Sequence, residues 1–199
     1  MRKTSLLALF VVAVPFAGAQ SITTLYAANN QGNLGGAAYF DVTVGSTALT
    51  VTGFDTNTIQ TVAFDFSVYT RNGAGIGNET AGDWTLVATG SGVGLGTNNP
   101  SAVTLNNTFT LSANTLTGMA LVMGPQAQHT YTNGTGANQD YSNADLALHL
   151  GSTSNVPFTA PTFNPRVWNG TIYYTPVPEP ATMAILGLGV LPLLRRKRK

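Results

Sequence analysis

Apolar and polar side chains alternate with a period of two along much of the chain, and its central part shows no convincing helical period of 3.6 residues. Between positions 61 and 70, apolar residues occupy every second position, at Val62, Phe64, Phe66 and Val68. Successive side chains of a strand point to opposite faces, so these four residues share one face. The segment is predicted to be a strand with this face in the core and the other in water.

Nine short strands are predicted from this alternation, at 22–27, 38–44, 49–54, 61–70, 84–89, 108–111, 119–123, 146–150 and 171–175. Turn signals separate them, including Asn-Gly pairs that begin at Asn72, Asn133 and Asn169 and favour a positive φ angle. Glycine occupies every second position from Gly90 to Gly96. This stretch is predicted to be a flexible connection without regular structure.

Many short strands joined by glycine-rich turns are typical of an all-β fold built as an antiparallel β-sandwich. The chain has no cysteine, so the cysteine–tryptophan–cysteine framework of immunoglobulin domains is absent. We therefore expect a jelly-roll-like sandwich over residues 20–175. A chain of 199 residues is long enough for one such domain with its own core.

Residues 1–19 have the three parts of a secretory signal peptide. Arg2 and Lys3 are followed by an apolar run and then by the small residues Ala17 and Ala19. We expect an N-terminal signal helix that signal peptidase removes after Ala19, so that Gln20 becomes the first residue of the mature protein. A membrane-spanning helix is disfavoured, because the apolar run is shorter than the roughly 20 residues that a span needs.

Residues 176–199 form a tail of three parts: Val177-Pro178-Glu179-Pro180, the apolar segment 181–194 and a basic cluster. The cluster is Arg195, Arg196, Lys197, Arg198 and Lys199. As a short hydrophobic helix, the apolar segment reaches about 21 Å, less than the roughly 30 Å of a bilayer core. The sequence thus predicts a marginal or temporary membrane anchor, with the basic end on the cytoplasmic side.

This tail resembles the PEP-CTERM sorting signal of bacterial exported proteins. The resemblance implies that exosortase, a membrane-embedded cysteine protease, recognises Pro178, Glu179 and Pro180 and removes the tail. It also implies that the cluster 195–199 is a membrane stop signal and that the body reaches the cell surface or the extracellular matrix. A plain C-terminal anchor with a proline-bearing linker is the alternative.

Charge is scarce, since only 9% of the residues are charged, against roughly 25% in an average soluble domain. Between residues 20 and 178, two basic residues, Arg71 and Arg166, stand against seven acidic ones, which leaves a net charge of −5. Nucleic-acid binding needs clustered cations, so nucleic acid is excluded as a partner. The absence of cysteine also excludes disulfides, thiolate metal sites and a cysteine nucleophile.

The sequence offers little catalytic chemistry, and we expect no enzyme activity, no catalytic residue and no metal ligand. His129 and His149 have no partner at metal-ligand spacing; His129 falls in a polar loop, and His149 is expected to face solvent. Glu79 and Asp83 are the best carboxylate pair for a glycan-active hydrolase, which is a less favoured alternative.

We expect no cofactor, with one alternative. Four oxygen-bearing side chains lie within eight residues and represent the chemistry that calcium prefers: Asn138, Asp140, Asn143 and Asp145. Their spacing matches no EF-hand pattern, so an ordinary amide-rich loop is favoured over calcium binding.

The expected function is that of an exported structural or adhesive protein of the cell surface or extracellular matrix, without catalysis. The main alternative is a carbohydrate-binding module, with Trp84 and Trp168 as the rings that stack on sugars. Exosortase and signal peptidase are the expected processing partners, extracellular polysaccharide is a candidate ligand, and membrane contact through the tail is transient.

Overall fold

A computed structural model describes residues 18–178, and all regular secondary structure in this range is β. The all-β prediction is confirmed. None of the described residues belongs to a helix that could span a membrane. The strands are β1 Gln20–Thr23, β2 Asn30–Gln31, β3 Ala37–Val44, β4 Leu49–Thr56, β5 Ala63–Asn72, β6 Thr85–Val93, β7 Ser101–Leu111, β8 Leu116–Met123, β9 Thr130–Asn133, β10 Asp140–Ser142, β11 Leu146–Ser154, β12 Thr162–Phe163, β13 Arg166–Trp168 and β14 Gly170–Pro176.

Eleven strands form one large sheet, in the order β1-β14-β4-β7-β6-β5-β8-β3-β11-β10, with β12 paired to β11. The other three strands, β13, β9 and β2, form a small second sheet. The strand pairs of both sheets are antiparallel, as predicted. The N-terminal strand β1 pairs with the C-terminal strand β14, so the two ends of the body are joined by hydrogen bonds.

The large sheet curls until its two edge strands nearly meet. Asn143, directly after β10, donates from its side-chain amide to the Ser21 carbonyl of β1 at 3.3 Å and to the Tyr174 hydroxyl of β14 at 2.8 Å. Opposite walls of the curled sheet therefore enclose a single main core. This agrees in outline with the expected β-sandwich, and the jelly-roll connectivity stays a prediction.

The inner face of the large sheet carries the main hydrophobic core. Phe64, Phe66 and Val68 of β5 are buried, as their alternation predicts. The prediction is wrong for Val62, which precedes β5 and is 51% exposed. Near the C-terminal strands, the rings of Phe40 and Trp168 stack with centroids 5.4 Å apart, so large aromatic surfaces contribute to the core.

The glycine-rich stretch is strand over its first part, which corrects the prediction of an irregular connection. β6 runs through Val93, and Gly90 pairs with Phe66 of β5 and Leu105 of β7. A Cβ atom at Gly90 would lie 2.5 Å from the Thr104 carbonyl oxygen. Glycine is required here because β6 and β7 approach too closely for a side chain. The glycine therefore serves close packing and not backbone flexibility.

Each of the nine predicted strands overlaps an observed one, and the observed strands β2, β9, β10, β12 and β13 were not predicted. The missed strands have two to four residues, too few to show a period. Their pairing depends on tertiary contacts.

The predicted processing sites lie at or beyond the ends of the described range. Ala19 is exposed, and Gln20 is the first residue of β1. Pro178 is exposed and is the last described residue. The predicted signal helix with Ala17, and the predicted hydrophobic helix with the rest of the sorting tail, lie outside the described residues.

Candidate functional site

The outer face of the large sheet carries a group of four rings, which we call the outer aromatic cluster. Its members are Tyr39 of β3, Tyr69 of β5, Trp84 just before β6, and Phe158 in the loop after β11. Phe158 lies 4.9 Å from Tyr69 and 5.6 Å from Trp84, measured between ring centroids. Tyr39 is buried, although the alternation places it opposite the core, because two loops cover this part of the outer face.

The two tryptophans that were candidates for sugar stacking have different environments. Trp168 is 2% exposed, and its indole N–H donates to Thr56 Oγ1 at 3.3 Å. A buried ring offers no face to a sugar, so the structure removes Trp168 from the candidate site. Trp84 is half-buried in the outer aromatic cluster, with its indole N–H donating to the Asn78 carbonyl at 3.1 Å.

Arg71 of β5 borders the outer aromatic cluster. Its guanidinium carbon lies 6.0 Å from the Trp84 ring centroid, and its Nε and Nη2 each donate to a carboxylate oxygen of Asp83 at 3.0 Å. This bidentate pair lowers the pKa of Asp83 through the hydrogen bonds from the guanidinium. The outer aromatic cluster thus has at its edge an ion pair in which the charges of Arg71 and Asp83 balance each other.

Glu79 and Asp83, the predicted hydrolase pair, serve different partners. Glu79 is buried, and its carboxylate accepts a hydrogen bond from Ser152 Oγ of β11 at 2.5 Å. Asp83 is exposed and paired with Arg71. Each carboxylate fixes the loop between β5 and β6, and this gives the hydrolase alternative no support.

A third carboxylate, Asp41 of β3, binds the same loop. Its Oδ1 accepts hydrogen bonds from the backbone N–H groups of Gly75 at 2.6 Å and Ile76 at 3.4 Å. Burial raises the pKa of Asp41, and the two N–H donors and the charges of His149 and Arg71 oppose this effect. The loop that carries Trp84 is therefore held in place by carboxylates.

His149 is exposed on β11, as predicted. It lies opposite Asp41 in the β3–β11 register and opposite Asp140 in the β10–β11 register. Its Nδ1 is 2.5 Å from a carboxylate oxygen of Asp140. The structure thus places a histidine between two carboxylates on the outer face, an arrangement that the sequence did not reveal because the three residues come from three segments.

His129 does lie between strands, as predicted, but it is buried rather than part of a solvated loop. Its Nε2–H donates to the Leu121 carbonyl at 2.9 Å, and its Nδ1 accepts from the Thr56 hydroxyl at 3.3 Å. Burial lowers its pKa to about 4, and the bond to the Leu121 carbonyl opposes the shift. No periodicity could have signalled this burial, because His129 lies between strands.

The oxygen-rich stretch 138–145 uses its side chains within the fold. Asn138 Oδ1 accepts from the Thr135 N–H, and Asn143 Oδ1 accepts from the N–H groups of Asp145 and Leu146. Asp145 accepts from the Tyr174 hydroxyl. Within residues 18–178, no group of three or more His, Asp or Glu side chains is arranged to hold a metal ion. The oxygens of these side chains accept hydrogen bonds from neighbouring groups of the fold.

The ends of the body carry the other predicted sites. Gln20 pairs with Tyr174 across β1 and β14, and the Val177 N–H donates to the Ala48 carbonyl at 2.8 Å. The first residue of the predicted recognition motif, Pro178, follows this last backbone hydrogen bond directly.

Comparison with known families identifies the tail. A family model described as the PEP-CTERM protein-sorting motif matches residues 176–199. No curated protein matches the chain. The motif makes this chain an exported protein that exosortase sorts, with a transient stage of membrane anchoring.

Proposed function

We propose that the body, residues 20–175, is a structural or adhesive component of the cell surface or extracellular matrix and acts without catalysis. The sorting motif at residues 176–199 carries this proposal, because exosortase processing delivers a protein outside the cell. Until the tail is removed, the basic cluster 195–199 remains on the cytoplasmic side and the body outside.

The chemistry of the body supports a matrix role. It contains no lysine and only two arginines, and most of its exposed polar side chains are Ser, Thr, Asn or Gln. Such groups form hydrogen bonds with hydrated polymers and are insensitive to salt. Surface ion pairs contribute little here, and adhesion by hydrogen bonding suits the exposed side chains.

Mass spectrometry of both termini, on protein from native cells and from their medium, tests the delivery step. We expect the mature chain to begin at Gln20, to end near Pro178 and to lack residues 181–199. Persistence of residues 181–199 in membrane fractions would instead show a permanent anchor.

A deletion strain tests the matrix role itself. We expect weaker cohesion of the extracellular matrix, restored by the wild-type gene and by no variant that lacks the sorting tail. Unchanged cohesion in the deletion strain would remove the structural role and leave the sorting conclusion intact.

Carbohydrate binding is the second candidate, favoured by the outer aromatic cluster. Tyr69, Trp84 and Phe158 are only partly buried on the outer face, beside an Arg71–Asp83 pair that can bond to sugar hydroxyls. Binding of the mature protein to a glycan array should be lost in Trp84→Ala and kept in Tyr173→Ala, an exposed aromatic on β14. A blank array with the wild-type protein would eliminate this candidate.

A further inference from the structure

Both chain ends of the body emerge at one end of the large sheet. Gln20 pairs with Tyr174 near the end of β14, and β14 stops at Pro176. The Val177 N–H is bonded to the Ala48 carbonyl in the turn between β3 and β4. The predicted signal cleavage site and the sorting motif are therefore both connected to the same end of the body.

Three turns surround this point, and together we call them the exit surface: residues 45–48, 112–115 and 143–145. Backbone hydrogen bonds join them, from the Gly45 N–H to the Asp145 carbonyl and from the Asn114 N–H to the Gly45 carbonyl, both at 2.8 Å. Their side chains are short, and their one charged residue, Asp145, accepts a hydrogen bond from Tyr174. Because these side chains are short, another protein can pack closely against the exit surface.

The spacing between fold and tail is short. Only Pro178, Glu179 and Pro180 separate Val177, held by its hydrogen bond, from the apolar segment that begins at Ala181. Even fully extended, the four steps from Val177 to Ala181 span about 13 Å. A protease that holds this motif therefore meets the folded body.

We propose that the exit surface is the contact surface of the body for exosortase while the enzyme holds residues 178–180. This inference rests on the proposed sorting function and adds the part of the fold that the enzyme meets. Contact with anionic lipid headgroups fits the same surface poorly, because the three turns contain no lysine or arginine. Close packing of short, uncharged side chains against the enzyme fits it well.

The test uses the full chain in its native host and measures the ratio of processed to unprocessed protein by intact mass. Ser46→Arg with Ser112→Arg places two long side chains at exposed positions of the exit surface. Thr61→Arg with Thr97→Arg is the matched control at the opposite end of the sheet, where both positions are also exposed. A third variant adds a six-residue Gly/Ser spacer between Val177 and Pro178 to the exit-surface pair.

We expect the exit-surface pair to lower the processed fraction several-fold, the control pair to be processed like the wild type, and the spacer to restore processing. Restoration by the spacer also shows that the arginines did not prevent folding or export. Normal processing of the exit-surface pair, or failure of the spacer to restore it, overturns the contact surface. If the wild-type chain itself is never processed, the sorting function fails instead.

Discussion

At the scale of single residues, buried polar groups decide how the body responds to pH. His129 is enclosed in the core and joined to Thr56 and to the Leu121 carbonyl as a neutral ring. Trp168 donates to the same Thr56 oxygen. The ring therefore belongs to a hydrogen-bond network that fixes its tautomer, and protonation would place an uncompensated charge among apolar side chains.

The first prediction is a loss of stability in acid that depends on His129. The pKa of His129 is 6.5 in the unfolded chain and about 4 in the folded chain. The unfolded state therefore binds the proton more readily, and the free energy of unfolding falls as the pH drops through this interval. A shift of this size amounts to about 3 kcal/mol of unfolding free energy between pH 7 and pH 4. Urea unfolding at several pH values measures it. His129→Gln should remove this loss, and equal pH profiles for wild type and His129→Gln would contradict the assignment.

The second prediction concerns the half-buried carboxylate Asp41. Because burial raises its pKa, the contribution of this group to stability decreases as the pH rises and the carboxylate ionises. Asp41→Asn keeps an oxygen to accept from Gly75 and Ile76 without the partly desolvated charge, so thermal unfolding at pH 7 should show unchanged or higher stability. Asp41→Ala leaves both N–H groups without their acceptor and should cost about 1–3 kcal/mol. A large loss in Asp41→Asn would show that the charge itself is needed.

Sequence patterns predicted residue environments where the strand period applies and failed elsewhere. The exposure of His149 follows from its alternation with Leu148 and Leu150. The burial of His129 and Glu79 does not, because both lie between strands and their environment is set by segments far away in the chain. The hydrogen-bond partners of Glu79 and Asp83 could not be predicted either. Both carboxylates lie in the loop between β5 and β6, whereas Ser152 belongs to β11 and Arg71 to β5.

At the scale of elements, strands with a clear two-residue period could be predicted from the sequence. The close approach of one strand to its neighbour in the sheet could not. Composition alone indicated that 90–96 would be irregular, but β6 continues to Val93 because its glycines allow close contact with β7. A glycine in a strand and a glycine in a loop look the same in a single sequence. Only the neighbouring strand distinguishes them.

The third prediction tests this packing role of glycine. Gly90→Ala should destabilise the body by about 1–3 kcal/mol, because its methyl group would collide with the Thr104 carbonyl and Leu105. Gly82→Ala is the matched control, since a Cβ there meets no atom within 4 Å. Urea unfolding of both variants gives the comparison. A Gly90→Ala protein as stable as Gly82→Ala would mean that β6 and β7 separate easily.

At the scale of the whole molecule, the tail 176–199 directs export and sorting, and the large curled sheet forms most of the body. The tail was recognisable because its three parts are contiguous in the chain, and the family match confirms it. The curling of the sheet was not recognisable, because it depends on a contact between strands that are distant in sequence. Asn143 makes this contact with β1 and β14.

The fourth prediction is that Asn143 holds the edges of the sheet together. Asn143→Ala removes its bonds to Ser21 and Tyr174 and also uncaps the turn before β11, which should cost about 1–3 kcal/mol. Amide exchange in β1 should accelerate, because its outer edge then loses the hydrogen bond from Asn143. Asn138→Ala, whose bonds stay within its own loop and with Tyr141, should leave exchange in β1 unchanged. If β1 exchanges as slowly in Asn143→Ala as in Asn138→Ala, contacts other than Asn143 keep the edges of the sheet together.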